Sequence, residues 1–166
     1  MQIRKVEEKD IEQIVDIKIR GWQSAYRGII DDKFLDSMNR EEKIAKFKKD
    51  YDISGYIVAE EDDEVLGFCR YVEENEYFKG YEEIEAEICA LYVKPEWKRK
   101  GIGKLMIEYA LNDLKQKGKS KIILWCLKEN DSARIFYEKM GGKLLAEKKI
   151  EIGNRMYDEV AYVFEV

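Results

Sequence analysis

Histidine is missing from all 166 residues of the chain. Its absence excludes Ser-His-Asp and Cys-His nucleophilic catalysis and every histidine-based zinc site, so acid–base work falls to Glu, Asp, Tyr, Lys, Cys or water. Proline occurs once, as Pro95, and no low-complexity stretch or repeat divides the sequence, which reads as one domain over residues 1–166. No apolar run approaches bilayer length, and the opening MQIRKVEEKD lacks a signal core, so no membrane partner is expected and the cytoplasm is the expected location. Cysteine is scarce: Cys69, Cys89 and Cys126 are odd in number and sit in apolar, strand-like runs, a pattern of buried thiols in a reducing compartment rather than disulfides or a metal clamp. No metal is expected.

Positive charge is also in deficit. Thirty Lys and Arg against 35 Asp and Glu leave a net charge of -5, which argues against nucleic acid as a partner. With 45% hydrophobic and 39% charged residues, the composition is that of an ordinary globular protein.

Periodicity gives the element order. A strand near Ile3 to Val6 precedes an amphipathic helix carrying Ile11, Ile14, Val15, Trp22, Ala25 and Tyr26. A second helix is expected between Arg40 and Lys49, then a hairpin, GYIVAEED and EVLGFCRYVE, turning at Glu61 to Asp63. A polar stretch from Glu73 to Tyr81 leads into a strand, EIEAEICALYV, in which Ile84, Ala86, Ile88, Ala90 and Tyr92 alternate with Glu85, Glu87, Cys89, Leu91 and Val93. Ile102, Leu105, Met106, Tyr109, Ala110 and Leu114 form the next helical stripe, with a glycine cap near Gly118. The strand KIILWCL follows. Asn130 or Asp131 caps a helix whose inner face includes Ala133, Phe136 and Met140 and which Gly141-Gly142 stops; two last strands flank Gly153-Asn154. The order βααβββαβαββ implies an α/β fold, a mixed sheet with helices on both faces.

Between the strand ending at Val93 and the following helix lies Lys98-Arg99-Lys100-Gly101-Ile102-Gly103-Lys104. Backbone N–H groups at a strand-to-helix turn converge on an anion, the helix dipole assists, and four cations add charge. A diphosphate cradle and a solvated basic loop are both open on this segment alone. A dinucleotide fingerprint would need glycine where Met106 stands, and Gly118-Lys119-Ser120 lacks the partner glycine of a P-loop at Asp113.

The wider stretch AEICALYVKPEWKRKGIGKLMIEYAL resembles the main CoA-binding motif of the GNAT superfamily of N-acetyltransferases, and NDSARIFYEKMGG resembles that superfamily's next motif. Two positions depart: Lys98 stands where Gln or Arg opens the loop pattern, and Gly142 where an aromatic commonly ends the second motif. The resemblance implies a mostly antiparallel sheet of about seven strands, splayed between the fourth and fifth. It implies acetyl-CoA as donor, CoA as product, and transfer to a primary amine. It places the pantetheine arm along Leu91, Tyr92 and Val93 and the diphosphate on the amides from Arg99 through Lys104. It sets Asn130, Ala133, Phe136 and Tyr137 along the far wall, with Tyr137 as the acid that protonates the thiolate.

For the base, Glu87 is the candidate, since period-two alternation puts it on one face with Leu91 and Val93; Glu85 is the reserve. A solvent-facing strand end is the other reading of Glu87, and ring packing in the core that of Tyr137. RGWQSAYRGIIDDKFLDSM resembles a segment of small bacterial GNAT proteins and is expected to border the acceptor pocket through Trp22, Tyr26 and Arg27, although Trp22 and Tyr26 also continue the first helix's apolar stripe. A small-molecule amine is the expected acceptor. Acetylation of a protein or peptide, and a silent acyl-CoA-binding module, are the alternatives. The final strands leave edges that suit either a monomer or a homodimer.

Overall fold

The structure, a computed structural model, describes residues 1–50, 52–74 and 83–166. Of the polar stretch expected from Glu73 to Tyr81, residues 75–81 lie outside the described residues.

Seven strands and five helices run as β1 (Gln2–Lys5), α1 (Ile11–Ala25), α2 (Asp32–Asp36), α3 (Arg40–Asp50), β2 (Tyr56–Glu61), β3 (Glu64–Val72), β4 (Ala86–Val93), α4 (Ile102–Gln116), β5 (Lys121–Leu127), α5 (Asp131–Lys139), β6 (Lys143–Ile152) and β7 (Arg155–Glu165), among the described residues. This is the expected order with one addition. Helix α2 has five residues, too few to display a helical period. The strands are hydrogen-bonded in the order β1-β2-β3-β4-β5-β7-β6, a mixed sheet in which β4 and β5 are parallel.

Contacts group the residues into two compact units, Met1–Arg70 with Ala90–Tyr109, and Tyr71–Cys89 with Ala110–Val166. In the first, α1 and α3 cover one face of the strands: Ile11, Ile14, Val15, Ile17, Ile44 and Phe47 bury against Tyr56, Val58, Val65 and Phe68. Each such side chain contributes roughly 1.5–3 kcal/mol on burial. The opposite face of β3 meets α4, since Met106 Cε lies 2.9 Å from where a Cβ on Gly67 would stand. The β2–β3 hairpin turns through Asp62 and Asp63, both left-handed at φ 51 and 62, the geometry of a two-residue turn that matches strand twist. At the entry to α1, Arg4 grips the buried Asp10 bidentately at 2.7 and 2.9 Å and also pairs with Glu60.

In the second unit β7 lies between β5 and β6, antiparallel to both. Tyr162 and Phe164 face α5, while Ala161 and Val163 on the other face join Ile84 and Ile123 in a separate apolar cluster. The parallel ladder joins Ala86–Ile88 to Ile122–Leu124 and stops there, so Cys89 and Trp125 are no longer partners. This is where the fourth and fifth strands were expected to splay.

Several sequence expectations need correction. On α4, Leu105 (42% exposed) and Tyr109 (37%) lie outside the core, whereas Ile107 is fully buried beside Ile102, Met106, Ala110 and Leu114. The buried stripe thus takes the other edge of the same helix. On α5 the buried residue is Tyr137, and Phe136 is only half-buried. All three cysteines are thiols, but only Cys69 is buried; Cys89 and Cys126 are partly exposed.

Candidate active site

The cationic loop is shaped by its backbone. A single 3-10 turn at Pro95–Trp97 leads to Lys98 in extended conformation, then Arg99 at φ +62 and Gly101 at φ +84. Glycine takes that conformation at no steric cost, whereas at Arg99 it costs of order 1 kcal/mol, a strain that clusters at functional sites. Alternating left-handed residues turn successive N–H groups toward a common point. The Leu105 N–H bonds the Gly101 carbonyl at 3.0 Å, so Gly101 caps the start of α4, and none of the amides from Arg99 to Lys104 donates to another described residue. Six N–H groups therefore stand ready for an anion at the positive end of a 15-residue helix.

The side chains agree with the backbone. Lys98, Arg99 and Lys100 are exposed and form no ion pair among the described residues, Lys100 instead standing 4.1 Å above the Trp97 ring. Lys104 makes only a long contact, 3.8 Å, to Glu108. Two other cations are neutralised: Arg20 clasps Glu96 at 3.2 and 2.7 Å, and Lys94 pairs with Glu64. Open amides beside unpaired cations suit an anion. Ile102, fully buried, pins the start of the helix while Gly103 and Lys104 stay accessible.

Strand β4 supplies Leu91, Tyr92 and Val93, all half-buried. The Tyr92 side chain is the centre of an aromatic group on the α1 side. Its ring stacks on Phe68 at 5.4 Å, its hydroxyl accepts the Trp22 indole N–H at 2.8 Å, and it also hydrogen-bonds Tyr26. Burial pushes the Tyr92 phenol up, and the bonds to Tyr26 and Trp22 pull it back only in part. Trp22 and Tyr26 meet edge to face at 5.0 Å. Both of them therefore serve packing around Tyr92. Arg27 is exposed and reaches Asp32 at 3.3 Å and Asp36 at 3.0 Å, two acids of the helix the sequence reading missed.

In the second unit Glu87 is 1% exposed and sits on β4 beside Ile123 of β5. Burial removes the reading of Glu87 as a solvent-facing strand end. The reserve, Glu85, is engaged by the Ser120 N–H and hydroxyl, which hold its carboxyl below the usual range. Asn130 caps α5, its side-chain oxygen accepting the Ala133 N–H at 3.3 Å. Tyr137 is 8% exposed, with Phe136 at 5.4 Å and Tyr162 at 6.2 Å between ring centroids. Gly142, the departure from the family's aromatic, has a physical account: a Cβ there would lie 2.9 Å from Phe164 Cζ and 3.0 Å from the Tyr137 carbonyl. Phe164 of β7 already occupies the space that a side chain at Gly142 would enter.

Sequence reading did not single out Tyr162, Arg134 or Glu138, which form a hydrogen-bonded set beside Tyr137. Within VAYVF, a tyrosine on a buried strand is indistinguishable from another apolar ring. Among the described residues no group of His, Cys, Asp and Glu is arranged to hold a metal, and no helix is long and apolar enough to cross a membrane.

Over 158 residues, 95% of this chain and 89% of the other, the chain is 27% identical to an uncharacterized N-acetyltransferase, YuaI, of Bacillus subtilis. It is 26% identical to a spermidine N(1)-acetyltransferase of Thermoplasma acidophilum, covering 91% of this chain and 98% of that one. The crystal structure of the PaiA N-acetyltransferase of Thermoplasma acidophilum in complex with coenzyme A superposes with a TM-score of 0.68 at 26% identity, covering 95% and 96% of the two chains. A sequence model of the Acetyltransferase (GNAT) family matches residues 18–142, a span that holds both the cationic loop and α5. The chain belongs to the GNAT family of acetyltransferases and is an acyltransferase that draws on acetyl-CoA.

Proposed function

We propose that this acetyltransferase is a single functional domain that moves the acetyl group of acetyl-CoA to a primary amine of a small molecule, by direct attack on the thioester. The observation that carries the cofactor half of this reading is the set of six donor amides from Arg99 to Lys104, flanked by the exposed cations Lys98, Arg99 and Lys100. Those amides take the CoA diphosphate. The backbone of Leu91, Tyr92 and Val93 takes the pantetheine arm, and Asn130, Ala133, Phe136 and Tyr137 form the wall, as the family resemblance implies.

In the reaction the neutral amine nitrogen attacks the thioester carbonyl and a C–N bond forms. Glu87, directly or through water, accepts the proton that the amine sheds. The C–S bond then breaks, its electron pair goes to sulfur, and the Tyr137 hydroxyl gives that sulfur its proton. Glu87 releases its proton to solvent and solvent restores the Tyr137 proton, so the sum is amine plus acetyl-CoA to amide plus CoA. An acyl-enzyme on Cys126 is disfavoured, because burial pushes its thiol up to about 12 and leaves little thiolate to act as nucleophile. None of the three cysteines is in a disulfide, which supports a reducing, cytoplasmic setting.

The small-molecule acceptor is supported by the relative named for spermidine, covered over 98% of its length. Trp22, Tyr26 and Arg27 remain the candidate residues bordering that acceptor. A library of small amines and peptides, offered with acetyl-CoA and with longer acyl-CoAs and read as free CoA thiol, tests the reading. Turnover with small amines and acetyl-CoA is expected. Turnover with peptides alone would transfer the activity to protein substrates, and binding of ATP in preference to acetyl-CoA would overturn the cofactor assignment.

A further inference from the structure

We propose that Tyr162 is a positioning residue for the acid step: its buried hydroxyl ties Arg134 and Glu138 together beneath Tyr137 and so fixes where the Tyr137 phenol stands. This rests on the acid role of Tyr137 put forward above.

Tyr162 is fully buried on β7 and paired through its backbone register with Leu124 of β5 and Leu144 of β6. A residue flanked by strands on both sides is among the least mobile points of a sheet. Its hydroxyl accepts the Arg134 Nε–H at 3.0 Å and donates to Glu138 Oε1 at 2.8 Å. Arg134 and Glu138 are one turn apart on α5, and Tyr137 lies between them in sequence with its ring 6.2 Å from that of Tyr162. Arg134 Nη1 extends the tie to the Lys128 carbonyl just beyond β5, at 3.2 Å.

Packing alone does not call for that hydroxyl. The strand around it, Val160-Ala161-Tyr162-Val163-Phe164, is otherwise apolar, and phenylalanine would fill the same volume. A hydroxyl at zero exposure costs desolvation unless both its functions are used. Both are used here, and both partners are on α5. The hydroxyl thereby locks the rotation and register of a nine-residue helix against the sheet. That helix carries the group whose O–H proton goes to the sulfur as the C–S bond breaks, and proton transfer is sensitive to small changes in reach.

The experiment compares Tyr162→Phe, Tyr137→Phe and the double variant, following single-turnover release of CoA from acetyl-CoA with spermidine as acceptor, or hydrolysis of acetyl-CoA if spermidine is not turned over. Tyr162→Phe should slow release about tenfold with the dissociation constant for acetyl-CoA unchanged, and should add nothing further in the Tyr137→Phe background. Glu138→Gln, whose amide oxygen still accepts from Tyr162, should keep the wild-type rate, and Glu138→Ala should match Tyr162→Phe. The same slowing by Tyr162→Phe in both backgrounds, or wild-type rates for Tyr162→Phe, overturns the positioning role. A wild-type rate for Tyr137→Phe is a different result and overturns the acid assignment itself.

Discussion

Trp22 of α1 donates its indole N–H to the Tyr92 hydroxyl of β4 across 2.8 Å, joining the first helix to the strand that leads into the cationic loop. Tyr92→Phe removes the acceptor, also loses the bond to Tyr26, and leaves the indole N–H unpaired among rings. The expected cost is about 1–3 kcal/mol, read as a lower urea midpoint at unchanged slope. In a double cycle with Trp22→Phe the two losses should be strongly non-additive.

Arg4 and Asp10 set an acid limit to stability. Burial pushes the Asp10 carboxyl up, but the Arg4 guanidinium and the Glu7 N–H outweigh it and hold the group below its ordinary 3.8. A depressed folded value contributes stability that is present above 3.8 and lost as pH falls through the folded value. The melting temperature should therefore drop steeply below about pH 4, while Asp10→Asn starts lower and falls less in that range.

Lys98 and Lys100 carry charge that no acid among the described residues offsets. Replacing both by alanine should weaken acetyl-CoA about tenfold and flatten its salt dependence while leaving kcat within about twofold. Calorimetry at two ionic strengths checks this; a fall in kcat with unchanged affinity would remove the loop from cofactor binding.

Glu87→Gln should lower kcat/KM about a hundredfold or more and flatten its pH profile, as the loss of a general base does. Glu85→Gln, at a carboxylate already engaged by Ser120, should leave the profile alone. An unaltered profile in Glu87→Gln would assign proton acceptance to water or to another carboxylate.

Legibility in the sequence followed the range of the interaction. The hairpin at Asp62-Asp63, the Asn130 cap and the α4 stop at Gly118, where the Lys119 N–H reaches the Leu114 carbonyl at 3.0 Å, all join residues close in the chain. Leu105 and Tyr109 were misplaced because an apolar stripe gives a helix's amphipathic side but not which edge of it meets the sheet. Helix α2 was too short for periodicity, and with it went the acids that hold Arg27.

By itself the sequence determined the order of every element but α2, the cationic glycine loop and the exclusion of histidine chemistry, because composition, period and local turn geometry act within a few residues. The tertiary structure alone decided that Glu87 is buried, that Phe164 takes the room beside Gly142, and that Tyr162 grips α5 beneath Tyr137. Each of these depends on residues brought together across strands by the sheet's register, and no local pattern in the chain encodes which distant side chain will arrive there.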